Sequence, residues 1–208
     1  MGPQLVDDIQ ERKRKVVEEA RMMSKWVIHH TPAPFVIWLT GLPCSGKTTI
    51  ACVLKLKLKQ LGINIDLLDG DEIRKELSPD LGFAKQDRCT NTRKVIYLCK
   101  LLSRNGISSI VSMISPDNDV RNFARNELSN FIEVYVKCSL GTRIKRDVKG
   151  LYKKALRGKI KDFIGLQLPY EEPVNPELIV NTELESLDDI ANKIIIKLKE
   201  LRYFSVAK

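Results

Sequence analysis

The sequence predicts a three-layer α/β fold, a mainly parallel five-stranded sheet with helices on both faces, and three observations carry the prediction. Short runs of apolar and β-branched residues alternate with longer stretches of helical periodicity. The runs recur roughly every 30 residues, the spacing that a strand, its crossover helix and the return strand require. The first run, from Phe35, flows straight into a glycine-rich loop that opens a helix. Parallel sheets present phosphate sites at their carboxyl edge in this way.

Taken in order, residues 5–28 space Leu5, Ile9, Val16, Ala20, Met23 and Val27 along one side of an amphipathic helix, which Pro32 and Pro34 end. The expected organisation is an N-terminal helix and linker over 1–34, packed on a single domain over 35–208. After the loop, Ile50, Val53, Leu54, Leu58 and Leu61 mark a helix, and Gly62 punctuates it. Ile63 to Leu68 reads as the second strand, ending in Asp69-Gly70-Asp71. A short helix runs through Arg74 to an irregular loop at 78–83. Asp87 is expected to cap a long helix ending near Asn105, with Val95, Ile96, Leu98, Leu101 and Leu102 on its apolar face. Ile107 to Ile114 is the third strand, followed by a helix over about 119–129. Phe131 to Cys138 is the fourth strand, with Ile132, Val134 and Val136 alternating. A stretch rich in Pro and Gly over 165–176 precedes a short strand, Leu178 to Val180, and a closing helix from Leu187 to Leu201.

Composition narrows the class. With 208 residues, 43% hydrophobic and 29% charged, the chain is long enough for one core and has no apolar run of membrane-spanning length. The first 30 residues are charged throughout, so neither a signal peptide nor a membrane anchor is expected, and a cytoplasmic setting is. Five cysteines at 44, 52, 89, 99 and 138 form no C-x-x-C pair. They suit a reducing compartment, with Cys52 and Cys99 read as small core residues on helices. Cys44 lies at a helix N-terminus, which would lower a thiol pKa and favour oxidation, although a small residue that fits the loop is the simpler reading. The net charge of +9 is local: residues 143–161 hold nine Lys and Arg against Asp147 alone. A basic stripe with Tyr152 as its one aromatic is a poor nucleic-acid platform. A lid over about 143–165, closing on small polyanions, fits it better.

The loop itself carries the chemistry. From Gly41 the pattern G-x-x-x-x-G-K-[ST] is complete, with Cys44, Ser45, Gly46, Lys47, Thr48 and Thr49 inside or just after it. The glycines let backbone N–H groups wrap a phosphate, and the helix beginning near Lys47 turns its positive end toward it. Lys47 places a cation against the β- and γ-phosphates of ATP, and the Thr48 hydroxyl suits Mg²⁺. Asp69 and Asp71 lie at the carboxyl end of a strand beside this loop, where open α/β sheets bind ligands. Asp71 is the candidate to orient and deprotonate an acceptor hydroxyl, with Asp69 nearer the metal; simple capping of the next helix is the plainer alternative for both. No N-K-x-D is present to read a guanine base.

Beyond the loop, the chain resembles the adenylylsulfate kinase family over about residues 35–200. The resemblance rests on Trp38-Leu39-Thr40-Gly41-Leu42, Leu68-Asp69-Gly70-Asp71 with Arg74, and Asp80-Leu81-Gly82-Phe83. It continues through Asp87-Arg88, Asn91, Arg93, Ile114-Ser115-Pro116, the block from Arg146 to Ala155, Phe163, Gly165 and Pro169-Tyr170-Glu171. It implies transfer of the ATP γ-phosphoryl group to the 3′-hydroxyl of adenosine 5′-phosphosulfate (APS), forming PAPS in sulfate assimilation, by a Mg²⁺-dependent homodimer. It further implies that Arg74, Arg88 and Asn91 meet the acceptor's anionic end and ribose, and that Phe83 and Phe163 sandwich its adenine. Ile114 and Ser115 would line that pocket, and Lys149 would belong to the closing lid. Pro43-Cys44, Thr90, Thr92 and Asp117 depart from the family's usual residues. A carboxylate at Asp117 would repel an anionic acceptor unless it points away. Two other readings stay open: a kinase for the ribose hydroxyl of another nucleotide conjugate, for example in capsule decoration, and a non-catalytic nucleotide-binding module.

Overall fold

Residues 33–204, which the computed structural model describes, form five strands and seven helices. The amphipathic helix expected over 5–28 lies outside the described residues. The strands are β1 (Val36–Thr40), β2 (Ile65–Asp69), β3 (Ser108–Ser112), β4 (Phe131–Lys137) and β5 (Leu178–Asn181). The helices are α1 (Lys47–Gln60), α2 (Gly70–Leu77), α3 (Lys85–Arg104), α4 (Asn118–Glu127), α5 (Leu140–Lys145), α6 (Leu151–Leu156) and α7 (Leu187–Glu200). The five strands make one parallel sheet in the order β2-β3-β1-β4-β5, the architecture the sequence predicts.

Helices cover both faces, which is why β1 and β3 are buried at every residue and read as continuous runs rather than alternating ones. Successive side chains of β1 enter opposite layers. Ile37 and Leu39 pack with Ile50, Leu54 and Leu58 of α1 and Ile190 and Ile194 of α7. Val36 and Trp38 pack with Val95, Ile96 and Cys99 of α3 and Ala124 of α4. After β1 the chain moves to one side of the sheet (β2, β3) and then crosses to the other (β4, β5). The strand order therefore reverses at β1, and a crevice opens beyond its carboxyl end.

Two local expectations change. Asp87 does not cap α3: the N-cap is Ala84, with no side-chain cap bond, and Asp87 sits in the first turn. There its charge still complements the helix dipole. Cys52 is exposed on α1, whereas Cys99 is buried; the α1 stripe is set by Ile50, Leu54 and Leu58, and Cys52 falls on the opposite side.

A buried charge network goes beyond what patterning reveals. Arg121 on α4 and Glu133 on β4 are almost wholly inaccessible and lie 2.8 Å apart. Arg125 reaches the other oxygen of Glu133 at 3.3 Å and forks onto Glu177, whose Oε2 also accepts the Glu133 backbone N–H at 2.6 Å. Two arginines and two carboxylates thus tie α4, β4 and the approach to β5 together.

Candidate active site

The loop from Gly41 to Thr49 leaves the carboxyl end of β1 and turns into α1. A Cβ on Gly41 would stand 2.6 Å from the Val136 carbonyl, so the loop passes too close to β4 for any side chain there. Gly46 is the N-cap of α1 with φ 98°, a left-handed conformation that glycine adopts without strain. Cys44, φ 60°, shares that region. Ser45 is buried, while Thr48 and Thr49 are exposed on the first turn of the helix.

Lys47 folds back over the loop. Its Nζ donates to the Leu42 carbonyl at 2.9 Å and lies 3.5 Å from Ser45 Oγ. Burial pushes its pKa down to about 8, against the pull of Asp71, Cys44 and Asp69 in the other direction. The Cys44 thiol behaves opposite to the helix-terminus expectation: burial raises its pKa, and Asp147 beside it raises it further. Partial burial and the Asp147 carboxylate outweigh the charges of Lys47 and Lys149, which pull the other way.

The Thr48 hydroxyl donates to Asp69 Oδ2 at 2.9 Å and lies 3.1 Å from the Ser112 hydroxyl. Asp69 Oδ1 meanwhile accepts the Asp71 N–H at 2.9 Å and caps α2. The capping reading of Asp69 therefore holds through Oδ1, while Oδ2 faces the Thr48 hydroxyl. The Thr48, Asp69 and Ser112 oxygens form a hard donor set that suits Mg²⁺, which takes few protein ligands and keeps water and phosphate oxygens. Ser112 is not among the sequence candidates; its place at the end of β3 beside β1 is a consequence of strand order. Asp71 is not a side-chain cap but stands exposed, and Lys149 Nζ reaches its Oδ2 at 2.9 Å. That hydrogen bond raises the Lys149 pKa.

Arg74, Phe83 and Arg88 cluster around the 78–83 loop. Arg74 donates to the Gly82 carbonyl at 2.6 Å, and its guanidinium lies over the Phe83 ring at 4.9 Å. Phe83 itself is 69% exposed. Arg88 donates Nη1 to the Phe83 carbonyl at 2.8 Å and Nη2 to Asp117 Oδ2 at 3.3 Å. Arg88 Nε and Asn91 Oδ1, one helical turn apart, are buried with no hydrogen-bond partner among the described residues. A cavity of about 390 Å³ opens here, lined by Phe83, Lys85, Arg88, Asp117, Asp162 and Glu171 among others. Asp117 therefore does not point away: it lines this cavity, where it is paired with Arg88.

Ser115 turns inward. Its hydroxyl accepts the Trp38 indole N–H at 3.0 Å and is buried, while Ile114 offers its carbonyl to Thr40 Oγ1 at 2.7 Å. Phe163 is also buried, edge-on to Tyr152 with ring centres 4.9 Å apart. The basic segment splits into two roles. Arg143, counted with the lid charge, is buried: it donates Nη1 to Tyr152 Oη at 2.6 Å, and Tyr152 Oη donates to the Pro43 carbonyl at 3.1 Å. Arg146 grips Thr182, whose hydroxyl lies 3.0 Å from the Ser45 carbonyl. Lys149, Lys153 and Lys154 remain exposed.

Comparison with known proteins bears on the family and the fold. The family model described as Adenylylsulphate kinase matches residues 33–181. A probable adenylyl-sulfate kinase of Pyrococcus abyssi is 51% identical over 169 residues, covering 81% of this chain and 97% of that one. An adenylyl-sulfate kinase of Rippkaea orientalis is 48% identical over 169 residues, covering 81% and 93%. The solved structure of the Mycobacterium tuberculosis APS kinase in complex with AMPPNP and APS superposes with a TM-score of 0.78 at 37% identity, over 81% of this chain and 99% of that one. A family match across most of the described domain, two relatives near half identity and one shared architecture lead to a single conclusion: this chain is an ATP-dependent kinase of the adenylylsulfate kinase family.

Proposed function

We propose that this chain transfers the γ-phosphoryl group of ATP to the 3′-hydroxyl of APS, producing PAPS and ADP. The observation that carries the reading is the position of Asp71. It is exposed, paired with Lys149, and two residues from the Asp69 carboxylate that meets Thr48. A carboxylate just past the end of β2, beside the loop that would hold the transferring phosphate, suits the approach of an acceptor hydroxyl.

In the balanced step, the 3′-oxygen forms a bond to the γ-phosphorus and the bond to the β,γ-bridging oxygen breaks. The hydroxyl proton passes to Asp71, and ADP leaves. Lys47 stabilises charge that grows on the phosphoryl oxygens. Mg²⁺, held from Thr48 and Asp69, would neutralise phosphate charge; Ser112 would support it through the Thr48 hydroxyl. Arg74, Arg88 and Asn91 bind the acceptor's anion and ribose, Phe83 stacks on its base, and the exposed lysines of the segment over 143–165 close above. Arginine forks suit an anion with several oxygens. The working unit is a homodimer, and its setting is the cytoplasm; among the described residues no helix is long and apolar enough to cross a membrane.

A second reading, a kinase for the ribose hydroxyl of another nucleotide conjugate, draws on one observation: Asp117 faces the acceptor cavity and occupies Arg88. One assay separates the two. Purified protein is given ATP, Mg²⁺ and either APS or a panel of nucleotide conjugates, and products are resolved by chromatography. APS is expected to be consumed fastest; faster turnover of another conjugate would overturn the APS assignment.

A further inference from the structure

We propose that Asp117 is a specificity-determining residue that turns away acceptors carrying one more negative charge, so that a nucleoside phosphosulfate enters and a nucleoside diphosphate does not. The inference rests on Arg88 as the acceptor's anion contact. It begins from a charge imbalance: the cavity is lined by the cations Lys85 and Arg88 and by the carboxylates of Asp117, Asp162 and Glu171. For a cavity meant to take an anion, that is sparing of positive charge.

Asp117 touches both cations. Its Oδ2 lies 3.3 Å from Arg88 Nη2 and its Oδ1 4.0 Å from Lys85 Nζ. The Arg88 and Asp117 side chains are only 16% and 13% exposed, so water screens the pair weakly. Asp117 is also the N-cap residue of α4, where an aspartate ordinarily accepts a backbone N–H of the first turn. Here its side chain makes no cap bond and is spent on Arg88 instead. Arg88 and Asp117 both line the cavity, with Nη1 of Arg88 held by the Phe83 carbonyl and Nη2 by Asp117. An acceptor anion that meets the Arg88 guanidinium must therefore sit beside that carboxylate.

This arrangement discriminates by charge. A sulfate group remains singly charged, whereas the terminal phosphate of a diphosphate titrates near neutral pH and carries more. Both have the same tetrahedral shape, so hydrogen-bond geometry separates them poorly. A fixed carboxylate a few ångströms away separates them by roughly threefold to tenfold per added charge. The consequence is useful to a kinase that generates ADP: its own product is kept from the acceptor cavity.

The test measures binding of APS and of ADP by calorimetry with a saturating non-hydrolysable ATP analogue, which confines ADP to the acceptor side. The unmodified chain is expected to prefer APS. Asp117→Asn, which keeps the shape and removes the charge, should narrow the APS-to-ADP ratio roughly threefold to tenfold, chiefly through ADP. Asp117→Glu should keep the preference, which a role confined to holding Arg88 in place does not require. An unchanged ratio in Asp117→Asn, or equal losses for both ligands, overturns the proposal. Turnover of APS by the unmodified chain, assayed on the same preparation, separates the two claims. Its absence overturns the acceptor reading together with this inference, whereas intact turnover with an unchanged ratio overturns the role of Asp117 alone.

Discussion

Lys47 combines burial with a charge that the proposed reaction needs, and its titration exposes the combination. Its pKa of about 8 lies below the ordinary 10.5. The unfolded chain therefore binds the proton more tightly in that interval. The charged, buried form burdens the free fold in full below pH 8, and the burden is relieved as pH rises from about 8 toward 10.5. A bound triphosphate restores the proton. We expect kcat/KM for ATP, which reports the free enzyme, to fall as pH rises through about 8, while kcat at saturating nucleotide holds to higher pH. Lys47→Arg should remove that basic limb, and Lys47→Ala should lose on the order of 10²-fold in turnover with an unchanged circular dichroism spectrum. A limb that persists in Lys47→Arg would assign it to another group. The two phenylalanines part company at this scale as well. Phe83 is 69% exposed and Phe163 is 9% exposed. Phe83→Ala should weaken acceptor binding by about 1–3 kcal/mol and leave stability alone. Phe163→Ala should also destabilise the fold by about 3 kcal/mol, read by denaturant titration.

Along the basic segment, alternate residues serve opposite ends. Arg143 and Tyr152 turn inward and fasten the base of the segment to the Pro43 carbonyl of the phosphate loop. Lys149, Lys153 and Lys154 face water. Tyr152→Phe keeps the ring packing against Phe163 but leaves a buried guanidinium and a loop carbonyl without their shared partner, a loss of about 1–3 kcal/mol. We expect a lower melting temperature and a raised KM for ATP from this one oxygen; an unchanged KM would mean that the anchor does not hold the loop. Neutralising Lys149, Lys153 and Lys154 together should instead leave stability in place and flatten the salt dependence of acceptor affinity. Affinity that falls as steeply with salt in the triple variant as in the unmodified chain would remove the lid from the binding model.

At the scale of the whole molecule, the Arg121–Glu133–Arg125–Glu177 network couples α4 to the β4 half of the sheet. Burial alone would raise the Glu177 pKa, but Arg125 and the Glu133 backbone N–H outweigh it and hold the carboxyl below the ordinary 4.5. A depressed carboxylate contributes stability that is present above its unfolded value and lost as pH falls through its folded one. We expect the melting temperature to drop as pH is taken below about 4.5, and Glu177→Gln to be less stable at pH 7 yet flatter over that acid range. Parallel acid limbs in the two proteins would clear Glu177 of the effect. Removing Glu133 is the harsher change, since it strands Arg121 in the interior at a cost of about 3–5 kcal/mol.

Legible along the chain were the strand–loop–helix unit, the five strands to within two residues at most of their ends, and the candidacy of Lys47, Thr48, Asp69 and Asp71. Those signals are local: a hydrophobic period, a glycine where φ must be positive, a carboxylate at a strand end. Tertiary structure alone decided which side chains meet. Ser112 reaches Thr48 across 64 residues, Lys149 reaches Asp71 across 78, and Asp117 reaches Arg88 across 29. It also decided that Arg143 is an anchor and not lid charge, that Cys44 holds its proton more tightly, and that Ser115 faces Trp38. The reason is physical. Contacts across the sheet follow from strand order and helix docking, and a group's charge follows from how much water those contacts exclude; neither depth nor neighbours across the sheet are written in the spacing of residues along the chain.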